Sequence, residues 1–209
     1  MNFRRLSLVI SVAIMAFAGS CSSDATGGDD ATVRAGKLLA KMTLDEKIGQ
    51  MSQLDLGYFM DQEQLKQAVR DGRCGSLLNF LGTEKVNELQ RIAVEESRLG
   101  IPLIIGRDVI HGYRTVFPIP LGMAASWNPE AVQQAFRISA IEASSQGIRW
   151  TFAPMIDITM DPRWGRIAEG CGEDPFLAST LAAAMVRGAQ GDSLNDPTSI
   201  AACAKHYVG

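Results

Sequence analysis

Short apolar runs alternate with helix-length amphipathic segments along most of this chain, and that alternation limits its fold more than any other feature. Residues 76–81 form an apolar run that reads as a buried strand. Thr83 then caps a helix whose Val86, Leu89, Ile92 and Ala93 share one inward face, and Gly100 stops it. Residues 101–106 are the next strand. Asn128-Pro129 combines an N-cap with proline at the first helical position, opening a helix through Val132, Phe136 and Ala140 that ends at Gly147. A strand over 150–158 follows. Asp174-Pro175 repeats the cap-plus-proline start, the helix runs through Leu177, Leu181 and Val186 with Gly191 just past its end, and 200–207 is a fourth strand. Upstream, Thr43-Leu44-Asp45-Glu46 is a capping box that puts Leu44, Ile48 and Met51 on one face. Another helix starts near Asp61, carries Leu65, Ala68 and Val69, and ends around Gly72.

Strands separated by helices of this length form parallel βαβ units with right-handed crossovers, so the fold class is α/β. Two architectures fit: an open doubly wound sheet, or part of a (β/α)8 barrel. A complete barrel needs eight strands and about 250 residues. The 209-residue chain is therefore expected to hold the N-terminal part of a TIM-like barrel, truncated after about four strands. An unclosed sheet has two unpaired edges and an apolar inner face, which predicts poor solubility for the chain by itself.

The chain opens with Arg4 and Arg5, an apolar stretch over 6–18, and the small residues Gly19 and Ser20. That order is a secretory leader, and its 13 apolar-stretch residues fall short of the roughly 20 needed to span a bilayer. Ala18-Gly19-Ser20-Cys21 resembles a bacterial lipobox, giving a leader over 1–20, a lipidated Cys21, a flexible acidic tether over 21–32 and a folded domain over 33–209. Cleavage after Ala16-Phe17-Ala18 is the rival, and it yields a plainly secreted protein. Loss of Arg4 and Arg5 moves the formal net charge from −3 to −5, which disfavours nucleic acid as a partner. Cys74, Cys171 and Cys203 have no C-x-x-C spacing, so no metal site is expected; Cys74 and Cys203 lie in apolar runs that suit buried free thiols.

In either architecture ligands bind beyond the carboxyl ends of the strands, and that is where unusual polar residues gather. The second strand runs into Arg107-Asp108 and His111. The third runs into Asp157, Asp161, Arg163, Trp164, Arg166 and Glu169, and the fourth closes on Lys205-His206. Asp108 suits acceptance of two sugar hydroxyls, against an ordinary Asx-turn. Asp161-Pro162-Arg163-Trp164-Gly165-Arg166 puts two guanidiniums and an indole into one turn, fit for multidentate hydroxyl recognition and for stacking on a sugar face. One of the two arginines is equally readable as a clamp on Asp157 or Glu169. Lys205 and His206 would point to opposite sides of a regular strand, so both reach one site only if the strand kinks. His111 suits loop backbone better than substrate, and Glu173-Asp174 reads as a helix N-terminus. No G-x-G-x-x-G links a strand to a helix and no G-x-S-x-G elbow is present, which argues against nucleotide binding and an α/β-hydrolase.

At these clusters the sequence resembles glycoside hydrolase family 3, the β-glucosidase and β-xylosidase group. The resemblance rests on KMTLDEKIGQM (41–51), GIPLIIGRDVIHG (100–112), FPIPLGMAASWNPE (117–130), APMIDITMDPRWGRIAEGCGEDP (153–175) and AACAKHYVG (201–209). It implies a TIM-like barrel, no cofactor, and retaining, exo-acting hydrolysis of terminal sugars from β-glycosides. It also implies that Asp108, Arg166, Lys205 and His206 hold the hydroxyls of that sugar, with Asp157, Arg163, Trp164 and Glu169 behind them. Val208 after Tyr207, where the N-acetylglucosaminidase branch has proline, points to the glucosidase branch. Retaining hydrolysis uses two carboxyls about 5–5.5 Å apart. The resemblance places both beyond Gly209, so the 209 residues alone are expected to be inactive. The alternative from another class is a non-catalytic sugar-binding lipoprotein using the same rim.

The leader makes a direct prediction. A fatty-acid analogue fed to the producing bacterium is expected to label the wild-type protein and to leave Cys21→Ser unlabelled; an unlabelled wild-type protein would sink the anchor.

Overall fold

A computed structural model describes residues 26–55 and 61–207. The expected leader, Cys21 and Val208 lie outside the described residues. The chain divides into two units, Met1–Ala40 and Lys41–Gly209.

The first unit contributes helix α1 (Thr26–Leu39). Its first residues fall within 21–32, the stretch expected to be a tether. Ala31, Arg34, Ala35, Lys37, Leu38 and Leu39 favour helix, and Arg34 meets Asp30 one turn earlier at 3.8 Å. Among the described residues, no helix is long and apolar enough to cross a membrane.

The second unit runs α2 (Leu44–Met51), β1 (Gln53–Asp55), α3 (Gln62–Arg70), β2 (Ser76–Leu78), α4 (Thr83–Arg91), β3 (Ile104–Arg107), α5 (Pro120–Ala124), α6 (Pro129–Ser144), β4 (Trp150–Thr151) and α7 (Pro175–Gln190). All four strands are parallel, and they lie side by side in chain order, β1-β2-β3-β4. A doubly wound sheet reverses its strand order at a switch point, whereas a barrel advances one neighbour at a time. The order seen here is that of a barrel's first strands.

Leu77 and Ile105, paired in register, are fully buried against Leu65 and Val69 of α3 and Val86 and Leu89 of α4. A second core joins Val132, Phe136 and Ala140 of α6 to Leu181 and Met185 of α7 beneath Ile148, Ala153 and Ile200. The opposite face of the sheet carries Ile104, Gly106, Trp150 and Phe152. A Cβ on Gly106 would come within 2.6 Å of the Phe152 ring, so the ring crosses the strand in the space a side chain at 106 would take.

Several expectations are corrected, and the strand expected over 150–158 is regular only at Trp150–Thr151. Leu44, Ile48 and Met51 face outward at 72%, 50% and 81% exposure. Gly49 and Glu46 take the inward face of α2: a Cβ on Gly49 would lie 1.9 Å from the Gly72 carbonyl oxygen, so the helix sits directly on the turn after α3. Thr83 is the first helical residue and makes no cap bond, because Gly82 at φ +103° turns the chain straight into the helix. β1, with its single acidic-ended QLD run, is a strand that periodicity missed. Residues 200–207 do not form a regular strand. They bridge Trp150 to Ala201 and Met155 to Lys205. One extra residue therefore intrudes on the Trp150 side, where Pro154 has no N–H to give the ladder.

The expected capping boxes and proline starts are present. Thr43 Oγ1 accepts from Glu46 N at 3.2 Å while Glu46 accepts from Thr43 N at 2.8 Å. Asn128 caps α6 and Asp174 caps α7 at 3.0 and 2.9 Å. Cys74, Cys171 and Cys203 are free thiols; burial pushes the Cys74 and Cys171 thiols up to about 11. Cys203 is only half-buried, which corrects the expectation for that residue, and it lies in the irregular segment flanking the sheet.

Glu46 also ties α2 to the segment entering β3. The Arg98 guanidinium donates to it through Nε at 2.8 Å and through Nη2, and the same Nη2 reaches the Lys41 carbonyl at 2.8 Å. Arg98 first, then the Thr43 N–H, hold the Glu46 carboxyl down at about 2. A carboxyl lowered on folding stabilises fully above its ordinary value of 4.5, and that stabilisation is lost as pH falls toward about 2. Glu46→Gln is therefore expected to melt several degrees below wild type at neutral pH, with the gap closing as pH falls through that window. Melting curves across the range check this; a pH-independent gap would contradict it.

Candidate functional site

The carboxyl ends of the strands bring together residues far apart in sequence. Asp108 follows β3 in phase with Ile104 and Gly106, which places it on the face away from the helices. The exit of β3 is held by Thr151, whose buried hydroxyl accepts from Val109 N and donates to Val109 O, both at 3.2 Å. Lys205 Nζ donates to Asp108 Oδ1 at 3.1 Å, across 97 residues of sequence. Lys205 is largely buried, while the Asp108 side chain is half exposed.

His206 belongs to a second pair. Its Nδ1 lies 2.7 Å from Asp157 Oδ2, and its backbone N–H points at Asp157 Oδ1 at 3.5 Å. The Asp157 side chain is 5% exposed and that of His206 is 41% exposed. Lys205 and His206 thus each meet a carboxylate from another strand end, as the kinked course of 200–207 allows.

Arg166 forms a third pair, donating through Nε and Nη2 to the two oxygens of Glu169, both at 2.7 Å. Of the two arginines, Arg166 is therefore the clamp on Glu169. Arg163 instead forks onto Asp161, with Nε 3.0 Å from each oxygen, and its side chain points into solvent. Trp164 is partly exposed on the same turn. Asp108 and Asp157 act electrostatically on Arg166, and Lys205 and His206 on Glu169, so the three pairs share one neighbourhood.

His111 bonds loop backbone, with Nδ1 3.0 Å from the Phe117 carbonyl oxygen. Two residues that hold the rim escaped sequence reasoning. Thr151 is by type one more β-former in an apolar run. Glu142 of α6 accepts from Arg114 N, Thr115 N and Thr115 Oγ1 at 2.8, 2.8 and 2.6 Å and so pins the loop after β3. Nothing local in the sequence signals either contact. Among the described residues, no three His, Cys, Asp or Glu side chains gather in a way that would hold a metal ion.

Arg163, Arg166, Lys205 and His206 each meet a carboxylate, so the rim presents donors and acceptors side by side. Such a surface suits neutral, polyhydroxylated ligands better than phosphates.

Comparison with known proteins agrees with this chemistry. The sequence profile of the Glycosyl hydrolase family 3 N terminal domain matches residues 43–209. A periplasmic beta-glucosidase of Salmonella typhimurium is 44% identical over 171 residues, which cover 82% of this chain and 22% of that protein. A lysosomal beta glucosidase of Dictyostelium discoideum is 35% identical over 206 residues, covering 82% of this chain and 25% of that protein. Among solved structures, the beta-glucosidase from Listeria innocua in complex with glucose superposes with a TM-score of 0.74 at 42% identity, over 83% of this chain and 26% of that one. An exo-1,3/1,4-beta-glucanase from a Pseudoalteromonas species gives 0.74 at 32% identity, over 85% of this chain and 25% of that one. The chain spans about a quarter of the length of the relatives it matches.

The Arg166 fork holds the Glu169 carboxyl below its ordinary value. Arg166→Ala is expected to move the Glu169 titration upward toward that value, read by carbon-13 NMR of the labelled side chain. An unmoved titration would mean that the fork does not persist in solution.

Proposed function

Because the chain belongs to glycosyl hydrolase family 3, we propose that it is the N-terminal barrel portion of a retaining, exo-acting β-glucosidase that removes terminal non-reducing sugars from β-glycosides. The observation that carries this reading is the rim itself. Asp108, Arg166, Lys205 and His206 stand at the strand ends of a chain 44% identical to a periplasmic beta-glucosidase.

In this reading Lys205 spends one of its three N–H donors on Asp108 and has two for sugar oxygens. Asp108 keeps its second carboxylate oxygen for a hydroxyl of the same ring. Arg166, oriented by Glu169, offers its remaining guanidinium N–H groups to another hydroxyl. Asp157, Arg163, Trp164 and Glu169 support these four. The reacting carboxyl pair comes from the rest of the longer protein, and Asp108 serves as a sugar ligand and not as the nucleophile. The leader over 1–20 and the periplasmic relative support export, with lipid attachment at Cys21 tethering the enzyme to a membrane.

The full open reading frame containing this sequence, expressed and purified, tests the reading. It is expected to hydrolyse p-nitrophenyl β-glucoside, with β-glucose as the first product seen by NMR. Lys205→Ala is expected to lower kcat/KM by about 10- to 100-fold, the effect of losing a charged hydrogen-bond donor. A folded wild-type enzyme inert on β-glucosides, or a Lys205→Ala enzyme equal to wild type, would overturn it.

A further inference from the structure

Asp157 is a buried carboxylate whose hydrogen-bond partner is the ring of a rim histidine. Its side chain is 5% exposed, it lies outside the regular part of β4, and its Oδ2 sits 2.7 Å from His206 Nδ1. Its Oδ1 meets the backbone N–H of the same residue at 3.5 Å, a long contact that adds direction more than energy. A carboxylate offers only lone pairs, so the proton in the ring contact belongs to Nδ1. A neutral imidazole carrying its proton on Nδ1 has a bare lone pair on Nε2. Because Nδ1 is occupied and the ring remains 41% exposed, Nε2 is the nitrogen left for a ligand.

The geometry points to Asp157 as a positioning residue that locks His206 in the Nδ1–H tautomer, so that Nε2 accepts a hydrogen bond from one hydroxyl of the terminal sugar. This rests on the β-glycosidase reading above. It gives the rim an asymmetry that residue types alone do not show: Lys205 and Arg166 donate to sugar oxygens, and His206 accepts. A hydroxyl that donates to Nε2 keeps its own lone pairs for Lys205 or Arg166, so one hydroxyl can be held by both kinds of partner.

Asn at 157 has almost the shape of Asp but can turn its NH2 toward Nδ1, which drives the proton to Nε2 and reverses the polarity offered to the sugar. In the full-length enzyme, Asp157→Asn is expected to lower kcat/KM for β-glucosides by about 10- to 100-fold. The penalty that wild type shows on one member of a panel of monodeoxy β-glucosides, the one lacking the accepted hydroxyl, should shrink toward unity in the variant. Asp157→Asn added to His206→Ala should cost no further activity, because the carboxylate acts through the ring. Equal losses on every member of the panel, or full additivity of the two substitutions, would mean a purely structural role and would overturn the assignment. Asp157→Glu, which keeps an acceptor but displaces it, is expected to retain more activity than Asp157→Asn, and the reverse order would also overturn it. Nitrogen-15 NMR of His206 in the wild-type enzyme reads the tautomer independently of turnover. A proton on Nε2 and not on Nδ1 refutes the inference even if the enzyme hydrolyses β-glucosides. A proton on Nδ1 with none on Nε2 upholds the Asp157 lock even if the substrate reading fails, and a ring protonated on both nitrogens overturns it.

Discussion

In a parallel sheet whose strands pair in register, the face that one residue buries decides the face of its paired neighbours, and here Leu77 and Ile105 make that decision. Both are buried under α3 and α4. Ile104 and Gly106 must then point the other way, and Asp108, the next residue in that phase, arrives at the end of the strand on the face the helices leave open. Gly106 extends the constraint to β4, since the absence of a Cβ leaves room for the Phe152 ring, which packs edge-on at 4.6 Å to Trp150. Two apolar side chains and one glycine thus determine where the first carboxylate of the rim stands.

Much of this was readable from residues. The capping box at Thr43 and Glu46, the Asn128 and Asp174 caps, and the inward stripe Val86, Leu89, Ile92 and Ala93 each depend on partners a few residues away, and each appears in the fold. The clustering of Asp108, Asp157, Arg166, Glu169, Lys205 and His206 was also legible, because every parallel strand delivers its last residues to one edge. What stayed hidden depended on distant partners. Helical spacing put Leu44, Ile48 and Met51 inside, but Arg98, 52 residues on, draws Glu46 inward and turns the apolar face out. β1 has three residues, too few for a period to show. The partner of each rim cation was likewise undecided: the sequence allowed an arginine on Asp157, and the structure puts His206 there.

Opposite ends of the strands are stabilised in different ways. Glu46 and Arg98 meet near the amino ends, beside the turn into β2 and the segment leading into β3, and the carboxylate is saturated by Arg98 and the Thr43 N–H. At that end a satisfied ion pair joins consecutive βα units and offers little to a ligand. The carboxyl ends carry three hydrogen-bonded pairs, Lys205–Asp108, His206–Asp157 and Arg166–Glu169, each with donors or acceptors left over.

Burial within the two pairs that cross between strand ends explains how such a rim can be both rigid and receptive. In one, Lys205 is largely buried and Asp108 half exposed; in the other, Asp157 is buried and the His206 ring is open. A buried charge is costly to leave unpaired, so the inner member of each pair holds its partner firmly. The outer member still meets water, so exchanging that water for a sugar hydroxyl costs little additional desolvation. Lys205 and Asp157 are therefore the inner members of the two pairs, while Asp108 and His206 present the more exposed groups. The roles run opposite in charge: at one pair the cation supports an acceptor, and at the other the anion supports a ring nitrogen. A ligand with adjacent hydroxyls, each both donor and acceptor, matches such a surface on both counts, whereas a simple anion would find half of it repulsive.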